Sequence, residues 1–393
     1  MRGHSGFESM VPPAFPMNAW RIITGECAPQ QGGVADYVAQ LARGLAAAGD
    51  RVTVHVPGPW TGGAGGLDVQ VLPDRFGPRS AWALREAQRR QPAVMLLQYS
   101  PFSLGARGLN VLFPRLLRAV QGPLAVMFHE VAFPLEPGQP PRHALLAHAQ
   151  RQMARTLLRR AHAACVSTEA WTPTLRALGW RGEVHLLPIP SNLLPPPDRP
   201  ARKAARASLG LPADAELLGH FGTYGPPVAG PLAAAATALL EPGRRHLLLL
   251  GRGAEAFRTR LCEAHPSLAP RLHAPGDARP AAISQGLLAC DALVQPFADG
   301  ATTRRTSLMA GLAHGLPTCT NRGPLTEPLW EGLPGTVLAP DAGPAALADA
   351  VNRLLASDVA AQGRAAEASY EAHFALGHGL QRLRTLAALP VTA

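Results

Sequence analysis

A single lysine, Lys203, stands among the 37 basic residues of this 393-residue chain, so its formal net charge of +10 is almost all arginine. Charged residues make up only 16% of the chain and aromatics 5%. The arginines are scattered and no signature of a nucleic-acid-binding module is present, so the charge alone does not point to nucleic acid. With abundant Ala, Gly and Pro, the bias is what a GC-rich genome produces. Cys27, Cys165, Cys262, Cys290 and Cys319 are far apart and odd in number, with no CxxC pair, which fits reduced thiols in a cytoplasmic core. No window reaches the roughly 18 uninterrupted apolar residues of a membrane span, and residues 1–18 have neither the basic start nor the apolar stretch of a secretory signal. The expectation is a soluble or peripheral protein whose residues 1–18 are disordered. Also missing are the GxxxxGK[ST] phosphate loop, the GxSxG nucleophile turn, HExxH, and an Asp-x-Asp pair that would hold a metal against a diphosphate. Any catalysis is expected to be metal-independent and without a cofactor.

What is present is a chain 47% hydrophobic, long enough for two globular units. From Trp20 onward, short apolar runs such as "WRIIT" (20–24), "RVTVHV" (51–56), "AVMLLQY" (93–99) and "LAVMFH" (124–129) alternate with amphipathic segments. Helices are expected at 34–48, 80–90, 107–120, 142–160 and 169–178. This is the rhythm of an α/β protein with parallel sheets. "PIPSNLLPPPDRP" (188–200) carries six prolines, which deny helix and ladder alike, and reads as a linker. The rhythm then restarts with "ELLGHFG" (216–222) and "HLLLLG" (246–251), and closes with helices near 344–356 and 363–388. The expected organisation is an N-terminal Rossmann-like unit over 19–187, a linker over 188–200, a second unit over 201–365, and a final segment over 366–393. In two doubly wound units facing one another, ligands sit at the carboxyl ends of the strands, in the cleft between them.

Three stretches carry chemistry. "TGECAPQQGGVADYV" (24–38) leads from a strand through Gly32 and Gly33 into a helix, where backbone N–H groups and the helix dipole suit an anion. "LLLLGRGAEA" (247–256) has Gly251, Gly253 and Ala256 in dinucleotide-fingerprint spacing. The acidic partner expected at the end of the next strand is missing, because that strand ends "RLHAPG". An ordinary tight turn explains these glycines. "FADGATTRRTSLMAGLAHGLP" (297–317) places Arg304 and Arg305 at the start of a helix that Thr302 or Thr303 would cap and Gly315 and Pro317 would end. Arginines in a first turn oppose the helix dipole by a few tenths of a kcal/mol each. A bound diphosphate would reverse that sign, with guanidinium forks stabilising it as a leaving group.

In order and spacing, "ITGE...P..GGVADYV", "LQYSPFSLGARG", "FHE", "VSTEAW" and "DGATTRRTSLMAGLAHGLPTCTNRGPLTEPLW" resemble the GT-B fold glycosyltransferases of the family 4 type, over residues 20–385. The resemblance implies two Rossmann-like domains around a cleft, a nucleotide-sugar donor in the second, and a last helix crossing back to the first. It also implies transfer with retention of configuration by a hexosyltransferase-type enzyme. By position, Gly32 and Gly33, with Asp36 and Tyr99 nearby, match the phosphate and acceptor loops. His129 matches a histidine that contacts the transferred sugar, and Glu327 an acid near the sugar hydroxyls. Gly222, Gly300, Thr302, Thr303, Arg304, Arg305 and Thr306 fall in the donor-binding segments.

The chain also departs from the pattern. The family's two glutamates in Glu-x7-Glu spacing are replaced by Thr302 and Ala310, and "HFGTYGPPVAG" lacks the usual Arg and Lys pair. Arg304 and Arg305 stand where they could replace that charge. A catalytically silent glycan- or partner-binding protein and a nucleotide-sugar isomerase of the same fold stay open. The acceptor is a glycan, a lipid-linked sugar or a small molecule, and no nucleic-acid partner is expected. "FPRLLRAV" (113–120) and "RQMARTLLRRAH" (151–162) mix Arg and Leu at helical spacing, compatible with a peripheral contact with anionic lipid at the inner face of a membrane.

Overall fold

The computed structural model describes residues 18–27, 32–58, 65–241, 243–276 and 279–388. The expectation of disorder over 1–18 falls, Asn18 apart, outside them. Parallel strands covered on both faces read as continuous apolar runs, and the chain supplies such runs twice.

In the first half the elements are β1 (Ala19–Ile23), α1 (Gly33–Ala47), β2 (Arg51–Pro57), β3 (Asp68–Leu72), α2 (Pro78–Arg90), β4 (Val94–Tyr99), α3 (Leu112–Leu116), β5 (Leu124–Phe128), α4 (Pro141–Leu158), β6 (Ala163–Val166), α5 (Thr172–Ala177) and β7 (Val184–Leu186). The seven strands pair in parallel in the order β3-β2-β1-β4-β5-β6-β7. Every residue of β4 and β5 is buried, as central strands require.

The second half holds α6 (Arg202–Ser208), β8 (Glu216–Phe221), α7 (Pro226–Leu240), β9 (Arg245–Leu250), α8 (Ala254–Ala264), β10 (Leu272–His273), α9 (Pro280–Ala289), β11 (Ala292–Val294), α10 (Thr306–Ala313), β12 (Thr318–Asn321), β13 (Thr336–Ala339), α11 (Pro344–Ala356), α12 (Val359–His373) and α13 (Leu376–Ala387). Its six strands are parallel too, in the order β10-β9-β8-β11-β12-β13. The strand order reverses direction between β1 and β4 in one sheet and between β8 and β11 in the other. A crevice opens at the carboxyl ends of the strands at such a switch point.

Several local expectations change. The single helix expected over 107–120 is broken, because Arg107 adopts φ 54 and Gly108 φ 81 inside a 3-10 turn, leaving α3 only five residues long. The single closing helix is two, α12 and α13, with Phe374 at the break buried against Trp330 at 5.6 Å between ring centroids. The break turns α13 back onto the first half, where Leu383 and Leu386 join the buried cluster of Leu41, Leu45 and Ile22. Strand β13 gives little signal in sequence, since three of its four residues are only partly buried. The arginine-leucine segments proposed for lipid contact turn their apolar residues inward: Phe113, Leu117, Met153, Leu157 and Leu158 all belong to one core cluster. Two of their arginines bond to backbone, Arg151 to Phe133 O at 3.0 Å and Arg160 to Val120 O and Gly122 O at 2.6 Å each. Among the described residues, no helix is long and apolar enough to cross a membrane. Cys165, Cys290 and Cys319 are buried, and burial pushes each thiol up to about 12, so these are unreactive core side chains.

Candidate active site

A cavity of about 540 Å³ lies between the two sheets at their switch points. Gly32, Gly33 and Asp36 come to it from the start of α1, and Gly222, Gln295 and Phe297 from the ends of β8 and β11. Arg304, Arg305, Thr306 and Arg252 complete the wall on the second half. Seven of the residues singled out in sequence thus share one space: Gly32, Gly33, Asp36, Gly222, Arg304, Arg305 and Thr306.

The arginine pair is held more firmly than sequence suggests. Arg304 donates to Asp299 Oδ2 at 2.7 Å, and Arg305 donates to Asp299 Oδ1. One carboxylate therefore serves two guanidinium groups and leaves one positive charge in excess. Arg305 lies over the Phe297 ring at 4.5 Å and Arg304 over the Trp171 ring at 5.4 Å, so each plane is clamped on an aromatic face. Burial pulls Arg305 below its ordinary range, with Asp299 working against that and Arg304 adding to it.

Helix α10 starts later than expected. Its first residue is Thr306, Arg305 occupies the cap position, and no side chain caps it. Thr303 does not cap it because that residue is already committed elsewhere. Its N–H donates to Glu327 Oε2 at 2.6 Å, its hydroxyl contacts Glu327 Oε1 at 2.6 Å and Ser167 O at 2.8 Å, and its carbonyl accepts from Ile189 N at 2.9 Å. Thr302 is fully buried and its hydroxyl has no partner.

Glu327, expected near sugar hydroxyls, is a buried strut. It is 2% exposed, and besides Thr303 it accepts from Glu169 N at 3.0 Å and Trp330 Nε1 at 3.0 Å. Its lone pairs are spent on joining the start of α10 to the segment after β6. Gly300 is required by packing and not by a ligand: at φ 87, a Cβ there would lie 2.1 Å from Thr326 Oγ1 and 2.5 Å from Gly323 N. Tyr99 is a core residue outside the cavity, with no exposed surface and its hydroxyl 3.4 Å from Gln150 O. The ring points to the face of β4 that α4 covers.

His129 follows β5 and is 8% exposed. Its Nε2 lies 2.7 Å from Gln98 Oε1, its ring packs edge-on to Tyr37, and its carbonyl accepts from Trp171 Nε1 at 3.0 Å. Burial lowers its pKa to about 4, so the imidazole is neutral at pH 7. Nε2 is thus engaged by the Gln98 amide, and Nδ1 is the ring nitrogen left for another partner. His129 lies beside the cavity and not in its wall, linked to Arg304 through Trp171.

Gln295 and Arg252 were missed in sequence. Gln295 is fully buried, donates through Nε2 to Phe221 O at 2.8 Å, and leaves Oε1 without a partner on the cavity wall. A lone amide closing the apolar strand "ALVQPF" was the available signal. Arg252 sits in the glycine turn read as an ordinary tight turn, and the structure puts that turn on the cavity wall. Among the described residues no three His, Cys, Asp or Glu side chains gather in a metal-binding cluster.

The comparison with known folds is decisive for architecture. Sucrose-phosphate synthase from Thermosynechococcus elongatus superposes with a TM-score of 0.70 at 19% identity, covering 94% of this chain and 98% of that one. This chain has the GT-B fold. The HepE protein of Anabaena in complex with UDP matches with a TM-score of 0.68 at 18% identity, over 95% of this GT-B chain and all of HepE. The catalytic domain of starch synthase IV from Arabidopsis thaliana, bound to ADP and acarbose, gives 0.64 at 14%, over 94% and 98%. Residues 32–190 match the family model of the glycosyl transferase 4-like domain. No curated protein sequence matches the chain. The expected two-unit parallel architecture of a GT-B protein is thus shown.

Proposed function

We propose that the protein is a glycosyltransferase that takes a sugar from a nucleotide-sugar donor bound on the second half and passes it to a hydroxyl acceptor presented by the first. The observation that carries this reading is the placement of Arg304 and Arg305, clamped by Asp299 and two aromatic rings, on the wall of a cavity at both switch points. A diphosphate gains negative charge as the glycosidic bond breaks. Preorganised guanidinium groups beside it stabilise that charge without reorganising at the moment of reaction. The match of residues 32–190 to a glycosyl transferase domain supports the same reading, as do the nucleotide-bound GT-B neighbours.

In this scheme the arginines supply the charge that a metal would otherwise bring, so the reaction is metal-independent. The His129 carbonyl holds the Trp171 ring on which Arg304 lies, and Gln295 Oε1 accepts from a ribose hydroxyl or a base N–H. The backbone at Gly32 and Gly33, with Asp36, faces the acceptor, which is a glycan, a lipid-linked sugar or a small molecule. Retention of configuration goes with the resemblance to family 4.

The test is a thermal-shift screen of UDP, ADP and GDP and their glucose conjugates, followed by diphosphate release with and without acceptor sugars. A ligand that binds only the folded state must raise the melting temperature. The proposal expects at least one diphosphate to do so, with Arg304→Ala and Arg305→Ala each weakening it. No stabilisation by any nucleotide would overturn it. Binding without turnover would favour a catalytically silent protein, and conversion of the donor without acceptor an isomerase.

A further inference from the structure

Among the described residues, one guanidinium group on the cavity wall has no neutralising partner. Arg252 is exposed on the cavity wall, between β9 and α8, and among the described residues it takes part in no hydrogen bond or ion pair. Its surroundings fix where it emerges. Gly251 has φ 100 and Gly253 φ 87, and a Cβ on Gly251 would fall 2.3 Å from Gly222 O, so the turn after β9 is pressed onto the turn after β8. Tyr224 pins that second turn from below, its hydroxyl donating to Leu250 O at 3.1 Å and its ring stacked on Phe257 at 4.9 Å. A rigid turn of this kind fixes where the arginine leaves the backbone, at the edge of the cleft.

The charge on this wall gives the ligand's identity. Arg304 and Arg305 share Asp299 and so present one net positive charge. Arg252 adds a second. The other charged residue lining the cavity, Asp36, belongs to the opposite wall and accepts from Asn192 Nδ2 at 2.8 Å. A nucleotide-sugar diphosphate carries two negative charges, a nucleoside monophosphate ester of a sugar one, and a free nucleoside none. We infer that Arg252 binds the donor diphosphate from the side opposite Arg304 and Arg305, and that this second cation makes the site select diphosphate-linked over monophosphate-linked donors. The inference rests on the donor reading given above and deepens it.

Isothermal titration of the full chain with UDP, ADP and GDP, their monophosphates and the free nucleosides tests it. Arg252→Ala is expected to weaken the bound diphosphate at least tenfold, to weaken the matching monophosphate less, and to leave the nucleoside within about twofold, the asymmetry that a charge-assisted hydrogen bond to phosphate produces. Arg252→Lys should keep part of the affinity, since the charge remains and the fork is lost. The side chain is exposed and without partners, so the unliganded melting temperature of both variants should equal that of the parent. Equal diphosphate affinity in the parent and Arg252→Ala would overturn the assignment while leaving the donor reading intact. Loss of equal size for nucleoside and diphosphate would overturn it too. A parent protein that binds none of the three diphosphates would overturn both.

Discussion

The two switch points that face each other across the cleft are built from the same parallel topology and equipped in opposite ways. The first-half wall offers glycine backbone at Gly32 and Gly33, the carboxylate of Asp36, and a neutral histidine set back behind Trp171. The second-half wall offers three guanidinium groups against one carboxylate, and an amide oxygen with no partner. One wall suits a neutral polyhydroxyl compound and the other an anion. The fold alone gives two equivalent crevices, and side chains at a handful of loop positions make one cationic and leave the other without a lining cation.

The comparison breaks most completely if the walls cease to face each other. Glu327 joins them, accepting from Thr303 on one side and Glu169 on the other. Glu327→Ala would leave buried donors at Thr303, Glu169 and Trp330 unsatisfied, at about 1–3 kcal/mol each. We expect a loss of at least about 3 kcal/mol in urea unfolding and near-complete loss of activity. Glu327→Gln keeps one oxygen acceptor and should fall between the two.

The charge contrast comes next. Arg304→Ala and Arg305→Ala should each weaken diphosphate binding about tenfold to a hundredfold, the loss of a hydrogen bond to a charged group. Asp299→Asn sharpens the same contrast from the other direction. It removes the carboxylate that competes with a diphosphate, so calorimetry should show tighter diphosphate binding. Unfolding should show lower stability, because two partly buried guanidinium groups are then left side by side.

Much of this contrast was open to sequence reasoning, and what was not has a common cause. The sheets were legible because a buried parallel strand must be apolar throughout, as "VMLLQY" is. Arg304 and Arg305 were legible because they follow a Gly-Ala-Thr-Thr turn and open an apolar helix, where cations oppose the dipole. The strut Glu327 was not assigned its role, since that depends on loops after different strands meeting, and Asp299 was read only as part of a polar turn, since no period records how an irregular loop folds back on itself. Tyr99 was misplaced for a related reason. It ends a strand at the cleft edge, yet strand alternation turns its ring to the face packed by α4. Arg252 was passed over because its glycines matched a dinucleotide fingerprint that failed, although the same glycines serve to aim a side chain into the cleft.

The last contrast concerns protonation, and it separates the histidines from the arginines. His129 and His220 are both buried with pKa values lowered to about 4, chiefly by desolvation. Below the unfolded pKa of about 6.5 the unfolded chain takes up protons that the folded one refuses, so stability falls as pH drops from about 6.5 toward 4 and levels off below. Each group adds a slope of up to about 1.4 kcal/mol per pH unit in that window. His129→Gln, which cannot charge, should remove its share of the slope in urea unfolding between pH 6.5 and 5. Affinity for a nucleotide-sugar, whose diesterified diphosphate keeps its charge over this range and meets guanidinium groups that stay charged, should hold constant. A donor affinity that followed the histidine slope would mean that the neutral wall, and not the cationic one, holds the phosphates.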